Sequence, residues 1–170
     1  MNRRFGVSVY KEKFNFCSAH FLIFANGDRE ELHGHNYQCW VDIDGPLDQG
    51  DLVIDFMLLK PIVKQLCDEL DHRMILPTGS PHLSISLEGG VVWVCHRDDR
   101  FAFPQRDVIL LPIRNTSTER LAEYLCAQLK DRLASTVPDA HIERIRVSVE
   151  ESSGQCGYYE EQSDLTIYGQ

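Results

Sequence analysis

The sequence predicts an α+β domain, a mainly antiparallel sheet with two helices packed on one face. Three observations predict it. Several runs alternate apolar and polar residues with the period of a strand, two longer stretches carry apolar stripes at helical spacing, and no break in composition divides the chain. At 170 residues it fits one domain, residues 1–170, able to bury roughly two-thirds of the surface its unfolded form exposes.

Residues 5–16 alternate, with Phe5, Val7 and Val9 against Gly6, Ser8 and Tyr10, and are expected as one strand. Tyr37, Cys39, Val41 and Ile43 alternate with Asn36, Gln38, Trp40 and Asp42 and predict a second. The turn-rich Ala25-Asn26-Gly27-Asp28 lies between them, so an antiparallel pair with a long connection is expected.

Phe56, Leu59, Val63, Leu66, Cys67 and Leu70 have helical spacing. Asp55 stands where the N-cap should be, and Pro61 requires the helix to begin only a few residues before it. Short β runs at 91–95 and 108–111 follow, separated by the turn-like Arg97-Asp98-Asp99-Arg100. A second helix is expected over 118–133, with Leu121, Leu125, Leu129 and Leu133 on one stripe and Ser117 or Thr118 as cap. Residues 142–149 alternate again, and a last run at 165–168 is expected to pair with them. The predicted order is β-β-α-β-β-α-β-β.

A formal net charge of −9 argues against a nucleic-acid partner, because phosphate backbones need clustered cations. No apolar run of about 18 residues can span a bilayer, and the N-terminal residues lead into an alternating stretch, so the chain reads as soluble and cytoplasmic. The six cysteines are widely spaced without a C-x-x-C pair, which predicts free thiols.

His33-Gly34-His35 is the most informative stretch. In a strand, residues two apart project to the same face and can offer two imidazoles to one ion, and the glycine is expected to leave the space between them clear. An antiparallel partner would bring His20 across as a third. Three imidazoles with an open fourth position suit catalytic zinc. Taken alone, the pair is as consistent with surface or hydrogen-bonded histidines.

The string Phe16-Cys17-Ser18-Ala19-His20, followed by Leu32-His33-Gly34-His35-Asn36-Tyr37, resembles the paired zinc signatures of the 6-pyruvoyl-tetrahydropterin synthase and 6-carboxytetrahydropterin synthase family. The resemblance continues in order through Val53-Ile54-Asp55-Phe56, Leu70-Asp71-His72, Thr116-Ser117-Thr118-Glu119 and Val147-Ser148-Val149-Glu150-Glu151-Ser152. It implies the tunnelling fold (T-fold), whose strands contribute to an oligomeric β-barrel. It also implies a homohexamer of two stacked trimers with sites at subunit interfaces, a small pterin triphosphate as substrate, and Zn2+ as cofactor.

Residue by residue, the resemblance implies His20, His33 and His35 as the zinc ligands. It implies Glu151 as the anchor of the pterin ring, a task that suits a carboxylate because it accepts two parallel hydrogen bonds. Glu119 matches a second pterin contact, its other role being to favour the N-terminus of the second helix. Asp71 and His72 match a proton-transfer pair, since an imidazole titrates near neutrality and a carboxylate can orient it. Adjacent side chains usually diverge, so their contact must be made in a turn or across an interface.

Two branches of that family place a catalytic cysteine a few residues before the His-x-His, and Arg29-Glu30-Glu31-Leu32 contains none. A third branch has glutamate there, which implies Glu30 as the base, with Glu31 its rival. That branch cuts the side chain of 7,8-dihydroneopterin triphosphate to give 6-hydroxymethyl-7,8-dihydropterin, a folate precursor. The alternatives are a synthase of the 6-pyruvoyl or 6-carboxy product, the latter on the way to queuosine, and, from another class, a non-catalytic zinc- and pterin-binding protein.

Overall fold

The computed structural model describes residues 4–162 apart from Asp139. Strands β1 (Phe5–Val9), β2 (Asn15–His20) and β3 (His33–Gly45) precede helix α1 (Phe56–Leu70). Strands β4 (Arg73–Pro77), β5 (Ser84–Glu88), β6 (Val91–His96), β7 (Asp99–Pro104) and β8 (Val108–Leu111) precede α2 (Thr118–Thr136), and β9 (Arg144–Ser152) and β10 (Gln155–Gln162) follow it.

Both helices start where their caps dictate. The Asp55 carboxylate accepts from the Met57 N–H at 2.7 Å, and the Ser117 hydroxyl accepts from the Arg120 N–H at 3.4 Å. Pro61 lies inside α1, beyond its first turn. The stripes Leu59, Val63, Leu66, Leu70 and Leu121, Leu125, Leu129, Leu133 are buried in one core with Phe16, Tyr37, Cys39, Val41, Ile43, Ile145, Val147 and Val149. The strand residues alternate along their chains, so both helices cover one face of the sheet.

Seven strands form that sheet, in the order β10-β9-β3-β2-β4-β8 with β1 also paired to β3. The single strand expected over 5–16 is broken by a turn, in which the Phe14 N–H donates to the Lys11 carbonyl at 2.8 Å. The two pieces lie end to end on the long β3, with Val9 opposite Val41 and His20 opposite His33. The pairing is mixed, because β4 runs parallel to both β2 and β8. A parallel neighbour needs a long crossover, and for β2 and β4 it runs through β3 and α1.

The Arg97–Asp98 turn is tighter than expected, since Asp99 already opens β7. Strands β5, β6 and β7 form a separate antiparallel sheet, whose Val92 and Val94 pack with Phe21, Ile23, Met74 and Leu76 in a second core. The run at 165–168 lies outside the described residues, and β9 pairs with β10 on one side and β3 on the other. No helix among the described residues is long and apolar enough to cross a membrane. All six cysteines are free thiols.

Candidate active site

At one end of the inner face, β2 and β3 bring His20, His33 and His35 together. Ring centroids are 4.7 Å apart for His20 and His33, 5.3 Å for His20 and His35, and 4.7 Å for His33 and His35. One nitrogen from each ring lies within 4.8 Å of the others.

Two of the outer ring nitrogens are already committed. His20 Nδ1 contacts the Thr116 carbonyl at 3.2 Å and its hydroxyl at 3.3 Å, and His33 Nδ1 contacts the Glu31 carbonyl at 2.8 Å. A ring N–H given to a carbonyl leaves Nε2 as a lone-pair donor. His20 Nε2 is buried with no hydrogen-bond partner, and the Nε2 atoms of His33 and His35 stand 2.9 Å apart. Two ring nitrogens this close share a proton or a cation between them. Burial first, and then the facing His33 and His35, lower the His20 pKa from 6.5 to about 4, so near neutrality it is a neutral ligand. The donor set fits a zinc ion with a fourth position open.

Gly34 serves a different purpose from the expected one. A Cβ there would sit 3.0 Å from the Ser18 carbonyl. The glycine thus lets β2 approach β3 closely and does not clear the space between the imidazoles.

The two acidic neighbours separate. Glu30 is half-buried: its Oε2 accepts from the Leu22 N–H at 3.2 Å and lies 3.9 Å from His33 Nδ1. Its own N–H donates to the Leu22 carbonyl at 2.9 Å, so backbone and side chain are held by one residue. Glu31 is exposed. Cys17 is exposed on β2 between buried Phe16 and Ser18, so alternation aims its thiol to the face opposite the histidines.

Glu151 is brought to the same end of the sheet. The β9–β10 register passes from Ser152 opposite Gln155 to Glu150 opposite Cys156, which leaves Glu151 as the extra residue of a bulge. Bulges redirect side chains and recur beside active sites. On its other side β9 pairs Glu150 with Gln38, which sets Glu151 next to Tyr37. Tyr37 is fully buried, its ring 5.5 Å from His35 and 5.8 Å from His20, and its hydroxyl has no hydrogen-bond partner. Burial, and then the charges of Glu151 and Glu30, push its ionisation upward. This phenol therefore stays protonated.

Tyr37 and Thr116 stand in the sequence as members of two motif strings, Tyr37 also as a strand residue, with no site role of their own. For Thr116 the available signal was a threonine just before a helix cap. Glu119 stands in the first turn of α2, with the Thr118 hydroxyl 3.4 Å from its carboxylate. Asp71 and His72 are brought to each other at 2.8 Å, but among the described residues no hydrogen bond or ion pair joins them to the three histidines.

The sequence model of 6-pyruvoyl tetrahydropterin synthase matches residues 8–162. A Methanocaldococcus jannaschii protein provisionally named 6-carboxy-5,6,7,8-tetrahydropterin synthase is 38% identical over 146 residues, 85% of this chain and 88% of its own. A Pyrococcus furiosus dihydroneopterin monophosphate aldolase is 46% identical over a shorter span of 44 residues, 26% of this chain and 38% of its own. Among solved structures, the 6-pyruvoyl tetrahydropterin synthase of Plasmodium falciparum superposes with a TM-score of 0.89 at 37% identity, covering 95% of this chain and 100% of that one. The Plasmodium vivax enzyme gives 0.88 at 32% identity with the same coverage. It has also been solved with a glutamate described as its catalytic residue replaced by alanine or by cysteine.

Proposed function

Because the chain belongs to the 6-pyruvoyl tetrahydropterin synthase family of pterin lyases, we propose that it cleaves the side chain of 7,8-dihydroneopterin triphosphate to 6-hydroxymethyl-7,8-dihydropterin, with Glu30 as base. The observation that carries this reading is the Glu30 carboxylate fixed beside His33 while Cys17 faces away. The glutamate described as catalytic in the Plasmodium vivax enzyme supports it.

His20, His33 and His35 would hold zinc, which when bound supplies Lewis acidity toward the hydroxyls of the three-carbon side chain. Glu151 accepts the ring's N–H and amino hydrogens and sets the side chain against the histidines, with Glu119 as a second contact. Glu30 takes a hydroxyl proton. The bond between the two hydroxyl-bearing carbons then breaks, its electron pair passes into the conjugated ring, and the distal carbons leave as an aldehyde that keeps the triphosphate. The carbon left on the ring regains a proton from His72, held by Asp71. Among the described residues no hydrogen bond or ion pair ties that pair to the histidines of its own chain, and we read it as serving the site of a neighbouring subunit in a homo-oligomer, the family's hexamer.

A second reading, a 6-carboxy-5,6,7,8-tetrahydropterin synthase, is favoured by the name of the Methanocaldococcus jannaschii relative. Incubating the zinc-loaded protein with 7,8-dihydroneopterin triphosphate and weighing the products separates the two. The hydroxymethyl product supports the first reading, and a carboxy product puts the second in its place.

A further inference from the structure

Outside the histidine end of the sheet, a set of polar ties joins the β6–β7 turn to the segment that leads into Glu30. His96, itself buried, contacts the Gly27 carbonyl through Nε2 at 2.9 Å. Arg97 donates to the Asp28 carboxylate at 2.7 Å and reaches the Asn26 carbonyl at 3.4 Å. Asp99 accepts from Nε and Nη2 of Arg29 at 3.2 and 2.9 Å. Three consecutive residues, Gly27, Asp28 and Arg29, are thus each held by a different residue of one turn.

Arg29 carries the restraint onward. Its Nη1 donates to the Glu30 carbonyl at 2.6 Å, and its guanidinium lies 5.5 Å from the Phe21 ring and 5.0 Å from the Phe101 ring. Those rings stack at 5.6 Å, joining the strand that ends in His20 to β7. One planar group therefore touches Asp99, two rings and the peptide of Glu30. Only a fork-shaped donor can satisfy all of them, which a lysine cannot do.

We propose that Arg29 is a positioning residue for Glu30, and that the small β5-β6-β7 sheet is the clamp that holds Arg29 through Asp99. This rests on Glu30 being the base. A base displaced by about 1 Å loses up to roughly a hundredfold in rate, so the clamp contributes to kcat and little to pterin or zinc binding.

The test compares Asp99→Leu, Asp99→Asn, Arg29→Met and Arg29→Lys with Glu30→Ala, in the zinc-loaded protein with 7,8-dihydroneopterin triphosphate. The expected result is a fall in kcat of about tenfold or more for Asp99→Leu and Arg29→Met, with KM and zinc content held. Amide exchange at Phe24 and Glu30 should quicken. Asp99→Asn, which keeps an acceptor oxygen for the fork, recovers most of the loss, and Arg29→Lys does not. If Glu30→Ala is inactive while Asp99→Leu keeps its kcat, the clamp is overturned and the base stands. Loss of zinc and of thermal stability in step with kcat would show the tie to be part of the fold alone, and would also overturn it. If Glu30→Ala turns over normally, the reading of the base fails, and the clamp with it.

Discussion

Asp71 and His72, neighbours in sequence, face each other through Oδ2 and Nδ1 at 2.8 Å. Two features make this possible. His72 takes a left-handed backbone conformation, φ 56°, which turns its side chain back toward the preceding residue. Asp71 in turn spends its other oxygen on the Cys17 N–H at 2.7 Å, while the His72 N–H donates to the Cys17 carbonyl at 2.7 Å. A carboxylate and a peptide together occupy the edge of β2, just before β4 begins to pair with it.

That backbone is costly for any residue but glycine, by about 1 kcal/mol. His72→Gly should therefore be more stable than His72→Ala by about 1 kcal/mol, although both lose turnover alike. Thermal unfolding and steady-state rates measured on the two variants separate the backbone contribution from the chemistry.

Burial alone would raise the Asp71 carboxyl. The Cys17 N–H and the His72 imidazole overrule it and leave its pKa below the usual 3.8. A group whose folded pKa is lowered contributes stability above its unfolded value and loses it as pH falls through the folded one. The stability gap between the protein and Asp71→Asn should thus close as pH drops below the ordinary carboxylate range. Denaturant unfolding at a series of pH values reads it directly.

Zinc binding should depend on the outer partners as well as on the imidazoles. His33→Ala and His35→Ala are expected to abolish stoichiometric zinc. Thr116→Val, which removes the hydroxyl beside His20 Nδ1 but keeps the carbonyl, should weaken affinity by roughly tenfold, the low end for such partners. Competition with a metal chelator measures both.

The two carboxylates assigned to the pterin should differ. Glu151→Gln is expected to lower kcat/KM by about a hundredfold, nearly 3 kcal/mol. Glu119→Gln should lower it only a few-fold, because Glu119 already has a local place in the first turn of α2. Steady-state kinetics on the two variants decide the order.

What could be read from the sequence was local. Asp55 and Ser117 are caps whose side chains bond within three residues, and the stripes behind them have a period that only a helix uses. His33 and His35 share a face by strand geometry alone. Position along the sheet is not local, so the parallel pairing of β4 with β2 and β8 left no pattern to read. β10 escaped because Gln155-Cys156-Gly157-Tyr158-Tyr159-Glu160-Glu161-Gln162 has few apolar residues to alternate. Its Gly157 lies 2.9 Å, by an added Cβ, from the Glu119 nitrogen, a close approach that no periodicity shows. The bulge at Glu151 and the buried hydroxyl of Tyr37 likewise come from the pairing of distant strands.

The most direct test of the central claim is to compare Glu30→Gln with the unaltered protein at equal zinc content, with 7,8-dihydroneopterin triphosphate as substrate and products identified by mass. Glutamine keeps the size and the acceptor for the Leu22 N–H but cannot take a proton. The account predicts 6-hydroxymethyl-7,8-dihydropterin from the unaltered protein and none above background from Glu30→Gln, with zinc fully bound in both. The same product at an undiminished rate from Glu30→Gln would contradict it.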